Sequence, residues 1–294
     1  LLDDEEFLPA IPLIDRLIRL SPDNWQHKEL LLATLRKAGR TNELAATLDA
    51  MARSMAHEPS NILHLTRLAL IYRPPSNAIA QASATLDAMP DELDLRMTLA
   101  MLQLEHDDAV AAYSNAVIVA ACRHDDPDVY GLLGDAAIEL GNATQAVAHY
   151  RMALRLNTHE AVILNNLAYL LLRSTSNVAE ALEYALSAVQ LERKPYTLDT
   201  LAYAFYKKRR FDAALRLLDE AETRTMQAGE PLDAEIVFHR GLVLAARGDI
   251  DAAEHSFHIA LQQQPNLRDE LRREPYYALI QPRLTNRHDH VESP

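Results

Sequence analysis

Side chains able to carry chemistry are scattered through this sequence of 294 residues. Twelve histidines are present, but no H-E-x-x-H, and His159-Glu160 lacks a second histidine one turn on. His255 and His258 could share one helix face; the spacing is compatible with a metal, but a solvated surface pair is the expected reading. His288 and His290 fall in a polar tail. His106-Asp107-Asp108 and His124-Asp125-Asp126 read as turns between helices, where aspartate caps the next helix. A calcium loop would need more oxygen ligands at fixed offsets. The single cysteine, Cys122, has no histidine partner that spacing identifies and reads as a small buried residue. Neither glycine-rich phosphate motif occurs, and there is no G-x-S-x-G elbow. The expectation is a non-enzyme with no cofactor and no metal.

A different chemistry is available from aromatic rings. Tyr196, Tyr203 and Tyr206 are seven and three residues apart, so a helix places all three on one face. Tyrosine combines a rigid apolar surface with a hydroxyl, which suits contact with another polypeptide. The rings could equally pack inside the fold. If they line an open face, replacing Tyr203 and Tyr206 together by Ala would weaken partner binding and leave helicity and melting nearly unchanged. The run Lys207-Lys208-Arg209-Arg210 is the densest positive charge, and it falls at a helix end, where cations meet the negative end of the helix dipole.

The elements that must position these residues repeat. Gly134, Gly141, Ala146, Tyr150 and Ala153 recur 107 residues later as Gly241, Gly248, Ala253, Phe257 and Ala260. Between them lie Ala168, Ala181, Ala185 and Ala188, then Ala202, Ala214, Leu218 and Ala221. The units start near Pro127, Ala161, Pro195 and Ala234, at spacings of 34, 34 and 39. Each has a small residue at position 8, Ala at 20 and 27, and an aromatic residue, Leu or Ala at 24; Gly occupies 15 in the first and last. Small residues let two antiparallel helices approach closely. Glycine at 15 ends the first helix in a left-handed turn. The unit from Ala161 carries one extra turn residue between Ser174 and Asn177, and the last spacing is lengthened by Glu222 to Asp233.

With this register the sequence resembles the tetratricopeptide repeat family. The resemblance implies an all-α, right-handed superhelical solenoid of antiparallel helix pairs. Residues 1–24 read as the second helix of a truncated repeat, 25–126 as three degenerate units, and 127–266 as four well-matched units. Residues 267–284 read as a capping helix broken by Pro275 and Pro282, and 285–294 as a disordered tail. In this family the first helix of each unit lines a concave groove. The positions carried over are Asn165, Tyr169 and Arg173, then Tyr196, Asp199, Tyr203, Tyr206 and Lys207, and finally Phe238. Asn165 can donate to and accept from a main-chain amide. The lysine–asparagine clamp of one subclass, which takes acidic C-terminal peptides, is absent, since only Asn166 falls at a matching place.

The expected function is a scaffold holding a partner protein or peptide. The alternative is an assembly or regulatory module of a larger bacterial envelope, secretion or exopolysaccharide-export machine, and self-association is open to either. The net charge of −13 disfavours nucleic acid as a partner. No run of about 18 apolar residues is present to insert into a membrane. The compartment, cytoplasmic or periplasmic, is left open. The chain opens Leu1-Leu2-Asp3-Asp4 without an initiating Met, so a processed product or excised piece, with the array continuing upstream, is expected.

Overall fold

The computed structural model describes residues 8–55, 58–174 and 177–285. The expected tail from 286 onward and residues 175 and 176 of the expected turn insertion lie outside them. Among the described residues there are helices and turns and no strand. They divide into two compact units, one ending at Asn142 and the other beginning at Ala143. This division falls inside the repeat that starts at Pro127.

The first unit contains α1 (Ala10–Leu20), α2 (Trp25–Lys37), α3 (Thr41–Met55), α4 (Pro59–Tyr72), α5 (Pro75–Ala88), α6 (Leu93–Glu105), α7 (Ala109–Cys122) and α8 (Pro127–Glu139). Each helix packs on the next, and alternate helices from α2 to α8 also touch. Its core is leucine-rich around Leu32, Leu35, Leu48 and Leu65, and alanine-rich around Ala112 and Ala116. Side chains of Asn24, Asp108 and Asp126 accept backbone N–H groups at the starts of α2, α7 and α8. Cys122, expected to be buried, is exposed, because it is the last residue of α7 and lies one turn beyond the buried Val119.

The second unit contains α9 (Ala143–Leu156), α10 (Ala161–Ser174), α11 (Val178–Leu191), α12 (Pro195–Lys207), α13 (Phe211–Ala228), α14 (Ala234–Arg247), α15 (Ile250–Gln263), α16 (Leu267–Leu271) and α17 (Tyr277–Thr285). Helices α10–α11, α12–α13 and α14–α15 form three hairpins, and the first helices α10, α12 and α14 lie side by side. Positions 20, 24 and 27 of all these repeats are fully buried: Ala181, Ala185 and Ala188, then Ala214, Leu218 and Ala221, then Ala253, Phe257 and Ala260. Gly241 shows why position 8 must be small, because a Cβ there would meet Phe257 Cε1 at 2.8 Å. Position 15 is left-handed in five repeats. Gly39, Gly141 and Gly248 occupy it, and so do Asp107 (φ 63°) and Arg209 (φ 59°), which bear side chains.

The expected capping helix is two pieces. Helix α16 stops at Leu271, and a turn through Pro275 leads into α17, which contains Pro282. Both helices rest on α15, with Leu267, Leu271 and Ile280 buried.

Candidate functional site

Because α10, α12 and α14 are neighbours, side chains at like positions meet across three repeats. Tyr169 comes from α10, Asp199, Tyr203, Tyr206 and Lys207 from α12, and Glu235 and His239 from α14. The Tyr203 ring stacks on His239 with centroids 4.3 Å apart and an interplanar angle of 16°. It also stacks on Tyr206, with centroids 6.0 Å apart. Tyr169 completes the group, 6.2 Å from both Tyr203 and His239.

Charge is interleaved with the rings. Nδ1 of His239 donates to the Asp199 carboxylate, 2.9 Å from each oxygen, and both side chains are buried. The guanidinium of Arg173 lies over the Tyr169 ring at 5.4 Å, and Lys207 Nζ lies over Tyr203 at 4.8 Å. Two glutamates complete the set from the C-terminal segment. Glu270 meets Arg173 Nη2 at 2.8 Å. Glu274 accepts from Tyr206 Oη and from Lys207 Nζ, each at 2.7 Å.

Burial and charge shift these groups in definite directions. Burial pushes the phenols of Tyr169, Tyr203 and Tyr206 well above the ordinary range, and nearby glutamates add to it. Burial also raises Glu235. For His239, burial works against the charged form, but Asp199, Glu235 and Glu270 outweigh it and hold the imidazolium above its usual value. Three buried acceptors here have no hydrogen-bond donor, Oδ1 of Asn165 and both carboxylate oxygens of Glu270, and Nε2 of His239 is buried without a partner as well.

Of the residues singled out in the sequence, this cluster gathers Tyr169, Arg173, Asp199, Tyr203, Tyr206 and Lys207. Tyr203 and Tyr206 do not line an open face. They are 2% and 6% exposed, one stacked on His239 and Tyr206, the other bonded to Glu274. The double alanine change therefore cannot leave melting unchanged. Phe238 is fully buried and packs edge-on against Phe257 at 5.5 Å, so it belongs to the hairpin core and not to a surface. Tyr196 stands apart, half-buried, with its hydroxyl donating to Glu192 at 3.1 Å. Asn165 is buried on α10.

His239, Glu270 and Glu274 were missed. His239 lies at position 6 of its unit, one residue past Phe238, and both glutamates lie in the segment read only as a cap. His255 is exposed, and His258 pairs with Gln262 at 2.9 Å. Among the described residues no three histidines, cysteines or acids are gathered as a metal would need. No helix there is long and apolar enough to cross a membrane.

The family model described as tetratricopeptide repeat matches residues 98–161, 132–196 and 200–267, more than half of the sequence. The chain belongs to the tetratricopeptide repeat family. No curated protein sequence matches it. Several solved structures share the fold. One is a chain of the APC/C hetero-tetramer Cut9–Hcn1, 19% identical with a TM-score of 0.62, over 95% of this chain and 52% of that one. This chain thus spans about half the length of that relative. A tetratricopeptide repeat protein from Parabacteroides merdae is 14% identical with a TM-score of 0.62, over 87% of this chain and 97% of that one. Pseudomonas aeruginosa pilF is 18% identical with a TM-score of 0.56, over 76% and 97%. Tetratricopeptide repeats are scaffolds for protein–protein interaction and are generally not catalysts, and this chain is an all-α array of that kind.

Proposed function

We propose that the chain is a non-catalytic scaffold that binds a segment of a partner protein across the row formed by α10, α12 and α14. One observation carries the reading: this row already holds a stretch of polypeptide, through Arg173 to Glu270 and through Tyr206 and Lys207 to Glu274. Stacked rings supply apolar area, and the cations fix the register of whatever lies on them. The unpaired Oδ1 of Asn165 would accept a main-chain N–H from the bound segment. A role inside a larger bacterial envelope, secretion or export assembly is compatible with the same row, and the identity of the partner decides it.

The test is site-specific photo-crosslinking. A photoreactive residue replaces Val162, exposed on α10, or Leu186, exposed on the outer helix α11. A partner captured in cells is then purified and mixed with each variant. Crosslinking from Val162 and not from Leu186 supports the reading. Crosslinking from Leu186 alone sinks it.

A further inference from the structure

The C-terminal segment is held on the row by two separate sets of contacts. Leu267 and Leu271, one turn apart, are buried where α16 rests on α15. Glu270 and Glu274, with the same spacing, reach the other way to Arg173, Tyr206 and Lys207. The glutamate contacts are unequal. Glu274 is well satisfied, with two partners at 2.7 Å. Glu270 is buried and ion-paired with Arg173, and neither of its carboxylate oxygens has a hydrogen-bond donor. A buried carboxylate with an empty acceptor position is a poor occupant of its own site.

Two cations stand in this place although the molecule as a whole is acidic. The chain carries a net charge of −13, yet Arg173 and Lys207, on successive first helices, each lie over a tyrosine ring of their own helix. Such a pair of cations, set on adjacent repeats, takes two carboxylates four residues apart, one at the end of α16 and one in the turn that follows it.

We propose that Arg173 and Lys207, with Tyr206, form a receptor for an acidic segment bearing two carboxylates at i and i+4, and that residues 267–276 are its exchangeable internal occupant. The proposal rests on the row being the partner-binding face, and it names the chemistry of the partner. An incoming segment whose first carboxylate also receives a main-chain or side-chain donor displaces the internal one. The C-terminal segment then acts as a competitor in cis, and partner affinity reflects the difference between the two.

The experiment uses the full chain and a labelled synthetic peptide copying residues 266–277. Wild-type protein is expected to bind it weakly, because the internal copy is present at high effective concentration. The full chain carrying Glu270→Gln with Glu274→Gln is expected to bind it at least about tenfold more tightly. A peptide with both glutamates replaced by Gln loses that gain, and so does a chain that also carries Lys207→Met. Binding by the double variant no tighter than by wild type would overturn the proposal. Hydrogen exchange in the wild-type chain provides the second measurement, independent of any variant's folding. Excess peptide should speed exchange at residues 267–276, and unchanged exchange at saturating peptide also overturns it. If these results fail while a partner still crosslinks from Val162, the row binds partners and only the acidic-segment chemistry is wrong. If crosslinking comes from Leu186 alone, the row itself is not the face.

Discussion

The imidazole of His239 lies parallel to the ring of Tyr203, centroids 4.3 Å apart, while its Nδ1 donates to Asp199. Residues from α12 and α14, forty positions apart in sequence for Asp199 and His239, thus form one buried unit. A buried charge pair of this kind is costly to break by removing one member.

The pair predicts a pH dependence of stability. The folded value of His239 is raised, so its contribution is complete below the ordinary histidine value of about 6.5 and is lost as pH rises through the folded value. Glu235, also raised, has the same sign but begins at lower pH. His149 is lowered by burial and acts oppositely, but only below the ordinary value. The melting temperature should therefore fall as pH rises above about 6.5. His239→Gln should flatten that slope, measured by circular dichroism melts across the range.

Tyr203→Ala should destabilise the protein by about 3–4 kcal/mol, since it empties a fully packed position against two stacked rings. Tyr203→Phe keeps the ring and should change stability by less than about 1 kcal/mol. Urea unfolding of the two variants separates the ring from the hydroxyl. Equal losses would mean the hydroxyl carries the effect.

Gly241→Ala should be destabilising by about 1–3 kcal/mol, because the added Cβ would meet the Phe257 ring at 2.8 Å. Phe257→Leu in the same chain should recover part of that loss, although alone it is destabilising. A double-mutant cycle in urea reads the coupling, and strict additivity would contradict the contact.

Arg209→Gly should stabilise by about 1 kcal/mol. Arg209 adopts a φ of 59° at the place where Gly39, Gly141 and Gly248 serve in other repeats. A shift of thermal midpoint in the opposite direction would show that the Arg209 side chain makes a compensating contact.

The repeat register was readable because it is a local property. Ala181, Ala214 and Ala253 are small for a reason that acts within one hairpin, and each is fully buried. The same logic located the left-handed turns at Gly39, Gly141 and Gly248. It stopped at contacts made across large sequence separations. Tyr206 is buried by Glu274, 68 residues later, and nothing in the periodicity of α12 encodes that meeting. A tyrosine at a groove position and a tyrosine beneath a folded-back segment have the same spacing. Phe238 was misread for a related reason, since its ring turns toward Phe257 of its own hairpin. Cys122 shows the limit at helix ends, where a shift of a few residues moves a side chain from core to solvent.

Helix α13 has 18 residues, against 14 for both α11 and α15, and ends at a left-handed Gly229. Arrays of near-identical hairpins can exchange equivalent pieces between molecules or pair with the wrong neighbour while folding. One overlong helix removes that degeneracy. A hairpin displaced by a whole repeat would leave an extra turn of α13 with nothing to rest on, so mispaired chains are distinguishable in energy from correctly paired ones.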